Sequence, residues 1–393
     1  MDLKARIRRR QRTGDDSPVV LEYDAVSPVA HVEEPTGRGP VLERLLDFLD
    51  PVFDRRLPPN AYVWGPPGSG KSAVVTALFA HLDRLLSQTG SVIHTTTRAR
   101  PRPAPSFVYV DARLAGSDFT LYHAVLDELV DESVPKQGVR TETLRSRLED
   151  RLAGPDQQAV VAVDHVGEPD TVSLSALGET FEPMTDTLTW VAVGRTPPAE
   201  FPADALPPER IEVPSYRQHA LVDLLTSRAS DGLARQSFEH EQIRRIADWA
   251  EGDAHDALAA LFGAADVATT AGHGSIRERD LNAGMNAVPR PSVALGRVLT
   301  LPENRQLVLR TLIDLPEAEA TSVSDAADAI ADSSRVDLTA ATVTRYLYEL
   351  AEVGITDRVA SQRPTDGAGR PPSRLEPRFP TIVFRRLYDL QRE

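Results

Sequence analysis

The clearest chemistry in this chain lies in Gly65-Pro66-Pro67-Gly68-Ser69-Gly70-Lys71-Ser72. Its spacing, Gly-x-x-x-x-Gly-Lys-Ser, is that of a P-loop. The glycines let the backbone fold tightly, so that its N–H groups surround phosphate oxygens. A helix starting around Ala73 would add the positive end of its dipole. Lys71 would reach the β- and γ-phosphates, and the Ser72 hydroxyl would hold Mg²⁺. The ligands implied are ATP or ADP with Mg²⁺. Lysine is rare here: Lys4, Lys71 and Lys136 stand among 44 basic residues. One of the three occupies the position where a compact ammonium suits phosphate better than a planar guanidinium.

A P-loop needs a second carboxylate at the end of a neighbouring strand to orient the metal. Asp164, closing the apolar run Ala159–Val163, is the candidate; the alternative is a helix-capping aspartate. In hydrolysing enzymes of this kind a glutamate follows and activates water. Here His165 follows. A neutral imidazole can accept a proton, but it is shorter and differently placed. Glu168 is near in sequence, with nothing in the sequence to say that it points inward.

These residues need a scaffold. Strands are expected at Ala61–Trp64, Phe107–Val110, Ala159–Val163, Thr189–Val193 and Arg210–Val213. Helices are expected at Val41–Val52, Ala73–Leu86, Leu121–Glu132 and Thr141–Leu152, where apolar residues follow a helical period. Short apolar strands alternating with helices predict an α/β fold with a parallel sheet covered on both faces. Pro197–Pro208 is proline-rich. From Tyr216 to Asn286 the pattern is helical throughout, near Ala220–Ser230, Glu239–Ala250, Ala254–Ala271 and Ile276–Ala283. Pro289-Arg290-Pro291 marks a second boundary. The last hundred residues suggest helices at Asn304–Asp314, Val323–Ala331 and Ala340–Glu352. The expected division is a flexible arm over 1–35, a P-loop domain over 36–213, a helical lid over 214–290 and a final domain over 295–393.

With 393 residues the chain is long enough for two or three domains. Without cysteine it has no disulfide, thiol nucleophile or thiolate metal site. The Arg6–Arg12 cluster is followed by no apolar run, so it is not read as a signal peptide. It is a disordered tail or a basic arm. No run of about 18 apolar residues occurs, so no membrane role is expected and the location is read as cytoplasmic. The net charge of −14 argues naively against nucleic-acid binding. An acidic, lysine-poor composition fits a salt-rich cytosol; codon bias toward arginine is the alternative. Residues 354–393 nevertheless hold eight arginines against five acids. They form a basic island on an acidic chain.

Several segments together resemble the archaeal replication initiators related to the origin-recognition complex, AAA+ ATPases with a C-terminal winged helix. They are the helix Gly39–Asp50, Val108-Tyr109-Val110-Asp111, Val213-Pro214-Ser215-Tyr216 and Glu251-Gly252-Asp253-Ala254-His255-Asp256-Ala257-Leu258. In the last of these the family pattern is Gly-Asp-Ala-Arg followed by Ala-Leu. The resemblance runs from about Arg38 to about Tyr388. It implies an AAA+ domain, a lid and a winged helix, with Tyr216 and His255 at the nucleotide. Three elements of hydrolysis depart from the family. His165 replaces the glutamate after Asp164, and His255 replaces the lid's second-sensor arginine. The finger region, Phe201–Glu209, holds no arginine. Arg195, near the first-sensor position, is a stand-in sensor or an exposed turn residue.

Thr339–Leu350 has the form of a recognition helix. Val343, Leu347 and Leu350 share one face, and Thr342, Thr344 and Arg345 lie mostly away from it, where they could meet base edges or phosphates. Val359–Phe379 is expected to form a β-hairpin wing with a basic tip. The resemblance assigns Arg363, Arg370 and Arg374 to the minor groove of double-stranded DNA, together with Arg345 from the helix. The alternative is a winged helix used for protein contact. The function implied is ATP-dependent, origin-type DNA binding in replication initiation, with slow hydrolysis at best. It would involve a replicative helicase and an oligomer on DNA. A regulatory paralogue that does not start replication is the alternative, and a motor ATPase fits less well.

Overall fold

A computed structural model describes residues 18–89, 104–154, 157–360 and 373–392. Two compact units emerge: His31–Tyr216, and Arg217–Glu393 together with the segment up to Ala30.

The first unit is built on a five-stranded parallel sheet. Its strands are β1 (Ala61–Trp64), β2 (Ser106–Asp111), β3 (Ala159–Val166), β4 (Leu188–Gly194) and β5 (Glu209–Glu212), in the order β2-β3-β4-β1-β5. In β3 the residues Ala159, Val161 and Val163 join one core, and Val160 and Ala162 the other. This alternation is why the strand is apolar throughout: both of its faces are covered. The helices α2 (Gly39–Phe53) and α3 (Lys71–Thr89) supply Leu45, Leu49, Val75 and Phe79 to one face. The other face is covered by α4 (Asp118–Leu129), α5 (Thr141–Leu152) and α6 (Leu174–Phe181), through Leu121, Leu144 and Phe181. Each expected strand appears, lengthened or shifted by a few residues at most. The short helix α6 was not expected from the sequence.

β3 differs from its expected form. It continues past Asp164 to Val166, and its register with β4 shifts between Val163 and Val166. His165 sits at this irregularity with φ 64°.

The second unit begins with a lid of α7 (Gln218–Gly232), α8 (His240–Trp249), α9 (Ala254–Thr270) and α10 (Glu278–Asn286). In α9 Ala257, Leu258, Leu261, Phe262, Ala264, Ala265 and Ala268 are all buried. A helix apolar on all sides belongs at the centre of its bundle. The chain then forms α11 (Leu295–Leu299), α12 (Glu303–Leu312), α13 (Val323–Ala331), α14 (Ala340–Glu352) and α15 (Thr381–Leu390). Between α14 and α15 runs the antiparallel hairpin β6 (Thr356–Ala360) and β7 (Ser373–Pro377). This is a winged helix. The tip of the wing, with Arg363 and Arg370, lies outside the described residues.

The expected flexible arm over 1–35 is corrected from residue 18 onward. Val19 and Val20 are buried, and Val20 forms an antiparallel bridge with Leu233. A short helix α1 (Tyr23–Val26) follows, and the Tyr23 hydroxyl donates to Asp266 at 2.8 Å. Arg228, itself buried, donates to the carbonyls of Ala25, Ser27 and Ala30. These backbone carbonyls come from a segment with no periodicity, so its sequence carried no sign of the docking. Among the described residues no helix is long and apolar enough to cross a membrane.

Candidate nucleotide and DNA sites

The loop between β1 and α3 turns on its glycines. Gly68 and Gly70 have φ of 62° and 75°, values that glycine reaches without strain. Close approach matters as well. A Cβ on Gly65 would lie 2.1 Å from the Val213 carbonyl oxygen, and one on Gly70 would lie 2.8 Å from the Tyr216 hydroxyl. No larger side chain fits at either place. Ser69 is buried. Helix α3 begins at Lys71, and its first intrahelical bond runs from the Val74 N–H to the Gly70 carbonyl at 3.0 Å. The amides of Lys71, Ser72 and Ala73 therefore stand at the open start of the helix, where an anion is favoured. The Lys71 ammonium, also buried, donates to the carbonyls of Gly65 and Pro66 at 2.8 Å and to Ser69 Oγ at 3.2 Å. Its charge is thus held over the loop.

Asp164 is 1% exposed. It accepts from the Tyr109 hydroxyl and from the His165 amide, both at 2.7 Å. Burial alone would raise its pKa; His165, the Ser72 hydroxyl, Tyr109 and the His165 amide together outweigh burial and hold it below the ordinary value. It is an ionised carboxylate joined to the Ser72 hydroxyl. The pair of oxygens suits a hard divalent cation, and the amides at the helix start suit phosphate. The residues present fit Mg²⁺ and a nucleotide.

Next to this lies a cluster that the sequence left open. Glu168 is turned inward, its side chain 7% exposed. Arg113 donates to it through Nε at 2.8 Å and Nη2 at 3.0 Å, and Arg195 forms an ion pair with it, Nη2 lying 2.9 Å away. The His165 Nδ1 is 3.5 Å from Glu168 and 3.7 Å from Asp164. Burial would raise the Glu168 pKa, but His165, Arg113 and Arg195 drive it well below the usual carboxylate range. Arg195 is thereby neither a free sensor nor a bare turn residue. The pairing with Arg113 had no signal in the sequence, because 55 residues separate the partners.

Arg38 is a second residue that sequence reasoning missed as a site residue. It caps the start of α2, is 4% exposed and stacks on Tyr216 with its guanidinium carbon 3.5 Å from the ring centre.

His255 lies in the second unit, near the start of α9. Its Nε2 accepts from the Leu295 amide at 3.0 Å, and its Nδ1 is 3.2 Å from Asp256. Because Nε2 accepts, the ring proton sits on Nδ1 and is directed at Asp256. The side chain thus links the lid to the first helix of the winged-helix domain.

On α14, Val343, Leu347 and Leu350 are buried, as their spacing predicts. Thr339 caps the helix through the Thr342 amide at 3.3 Å, and the Thr339 and Thr342 hydroxyls lie 3.0 Å apart. The Thr344 hydroxyl donates to the Ala340 carbonyl at 2.8 Å. Only its lone pairs remain for an outside partner. Arg345 is 64% exposed, with Glu349 3.8 Å away. Arg374 is not on the wing tip but in β7, bonded to Glu376, with a buried and unpartnered Nε. Among the described residues expected to contact DNA, Arg345 is more exposed than Arg374.

Comparison with known proteins agrees with this architecture. Residues 34–191 match the family described as AAA ATPase domain. The ORC1-type DNA replication protein 6 of Halobacterium salinarum is 23% identical over 89% of this chain and 90% of its own length. A structure of the Aeropyrum pernix ORC1 protein in complex with DNA superposes with a TM-score of 0.61 at 19% identity, covering 96% of this chain and 98% of that one. The Aeropyrum pernix ORC2 protein, in ADPNP–ADP complexes, gives a TM-score of 0.55 at 15% identity over 95% and 98%. The chain is thus similar along most of its length to an ORC1-type replication protein, and its fold combines an AAA+ domain, a helical lid and a winged helix.

Proposed function

We propose that this chain is a cytoplasmic, nucleotide-responsive DNA-binding protein of replication initiation that turns ATP over slowly or not at all. One observation carries the reading. Lys71, Ser72 and Asp164 meet at the end of one sheet, in a chain that also ends in a winged helix. The backbone from Gly65 to Ser72, with the amide of Ala73, would hold the phosphates. Ser72 and Asp164 would hold Mg²⁺, which neutralises phosphate charge when bound.

Slow turnover follows from what the neighbours are doing. His165 stands where a glutamate would orient water, on a backbone with φ 64°. The nearby carboxylate of Glu168 is committed to two arginines. Both nitrogens of His255 are engaged within its own unit. Binding elements are complete and hydrolysis elements are altered, so the chain acts as a switch set by which nucleotide is bound. The partner is double-stranded DNA, met by α14 and the wing. A replicative helicase and an oligomer on DNA belong to the same reading.

The engagement of Glu168 and His255 also favours a second reading, a regulatory paralogue that binds nucleotide and DNA without starting replication. A genomic binding map combined with footprinting of the full chain tests the two. Occupancy concentrated at a replication start supports the initiator; occupancy spread over promoters supports the paralogue. Absence of DNA binding in the full chain, even at low salt, overturns both.

A further inference from the structure

Asp164 is fixed from a neighbouring strand. In the β2–β3 register Tyr109 stands opposite Ala162, and Asp111 opposite Asp164. Side chains alternate along a strand, so Ala162 and Asp164 share a face. Ala162 belongs to the core beneath α3, and Tyr109 packs against that same core. Tyr109, Asp164 and the P-loop helix are therefore on one side of the sheet. A strand rises roughly 3.3 Å per residue, and a tyrosine ring with its hydroxyl spans two such steps. The Tyr109 hydroxyl accordingly reaches forward to Asp164 Oδ2 at 2.7 Å. A phenylalanine would fill the same core space and leave that oxygen without this donor.

The bond falls where the backbone does least to aim the carboxylate. Asp164 has a register partner on β2 but none on β4. Its carbonyl accepts from the Ala112 amide at 3.0 Å, while on the other side the register shifts between Val163 and Val166 and His165 turns to φ 64°. The side chain is instead tied at both oxygens, Oδ1 by the His165 amide at 2.7 Å and Oδ2 by Tyr109. The Ser72 hydroxyl, at the start of α3, is the third group joined to it.

The Tyr109 hydroxyl acts on a metal site here in two opposing ways. A donor draws charge from Oδ2, which weakens the carboxylate as a ligand. It also holds the carboxylate in one orientation against Ser72, which strengthens a site built from both oxygens. Orientation is the larger effect, because removing a group that orients a ligand from behind typically costs about 10–100-fold in metal affinity.

We propose that Tyr109 is a positioning residue for the divalent cation that accompanies the nucleotide: its hydroxyl sets the Asp164 carboxylate toward Ser72 and so governs how much the metal adds to nucleotide affinity. This rests on the nucleotide-binding reading above and adds a group that lies outside both the P-loop and the metal ligands.

The test measures the ADP affinity of the full chain in high-salt buffer, once with Mg²⁺ and once with EDTA, for the wild type and Tyr109→Phe. The gain from Mg²⁺ should shrink about tenfold or more in Tyr109→Phe, while the affinity in EDTA stays within about twofold. Mn²⁺ titrated into the ADP-saturated protein, followed by electron paramagnetic resonance, should bind the variant about 10–100-fold more weakly. An unchanged Mg²⁺ gain overturns the proposal. So does an equal loss with and without metal, which would make Tyr109 a packing residue of the core. If the wild type shows no gain from Mg²⁺, or Asp164→Ala keeps it, Asp164 is not the metal carboxylate. That failure lies in the nucleotide-site reading, and this inference falls with it. Should Tyr109→Phe fail to fold, a crystal structure of the wild type with ADP and Mg²⁺ decides. A Tyr109 hydroxyl still bonded to Asp164, with Asp164 facing the ion, supports the assignment, and a hydroxyl turned away ends it.

Discussion

Arg195 forms an ion pair with the Glu168 carboxylate at 2.9 Å, at the end of β4 and beside His165. Glu168 is at the same time the bidentate partner of Arg113, whose side chain is 7% exposed. One carboxylate thus pairs with two arginines next to Asp164. Glu168 is consumed by structure, which removes it as a substitute for the missing water-activating glutamate.

Removing that carboxylate should be expensive. Glu168→Ala leaves Arg113 buried without its counter-ion, a change that typically costs about 3–5 kcal/mol. Chemical denaturation of the variant should show a large drop in midpoint with little change in slope. A loss under about 1 kcal/mol would mean that solvent already reaches the cluster.

The same group sets a pH dependence. The Glu168 pKa in the folded chain lies well below the ordinary carboxylate value, since His165, Arg113 and Arg195 outweigh burial. The unfolded chain therefore holds this proton more tightly, and stability rises with pH where the two differ. The contribution is complete above the unfolded value of about 4.3 and fades as the pH falls below it. Glu168→Gln should flatten the acid limb of the stability curve, measured by denaturation midpoints from neutral pH downward.

Lys71 holds three oxygens of the loop and would meet the phosphates. Lys71→Ala should weaken fluorescent-nucleotide binding about 10–100-fold, the worth of a charge-assisted hydrogen bond or two. Equal affinity in the variant would exclude the loop as the phosphate site. Turnover of ATP by the wild type, followed by phosphate release, should stay below about one per second without an arginine supplied by a partner.

His255→Ala deletes the acceptor of the Leu295 amide. That amide should exchange faster with deuterium, and the start of α11 should become more open to protease. The nucleotide affinity of the full chain is a separate readout, and a strong loss there would restore His255 to the role that the family pattern implies.

Arg345 and Arg374 should behave differently on DNA. Arg345 is exposed, and Arg345→Ala should lower the salt slope of log K by about 0.9 if it neutralises one phosphate. Arg374 is tied to Glu376 on β7, and Arg374→Ala should change that slope less. Equal effects would show that the Arg374–Glu376 pair opens on DNA. Thr344→Ala should relax sequence preference only if the hydroxyl lone pairs, the part not used by Ala340, read a base edge.

The sequence alone was enough for features carried by local order. The P-loop could be read because its glycines, lysine and serine are consecutive and lie between a strand pattern and a helix pattern. The sheet could be read because strands buried on both faces must be apolar throughout, as in Ala159–Val163. Helix α14 could be read because Val343, Leu347 and Leu350 repeat with the helical period. Tertiary structure decided what depends on partners far apart in the chain. Glu168 could face either way until Arg113 and Arg195 converged on it. Arg38 looked like an ordinary residue before α2 until Tyr216 lay across it. Residues 18–30 lacked periodicity, and they dock because Arg228 and the end of α7 bind their backbone, while Val19 and Val20 are buried and Tyr23 donates to Asp266. His255 matched a sensor position by spacing, but its hydrogen bonds were set by Leu295, 40 residues on. Local patterns encode periodicity and turn geometry; they do not encode which buried charges find one another, because that pairing is made only when the folded chain brings distant segments together.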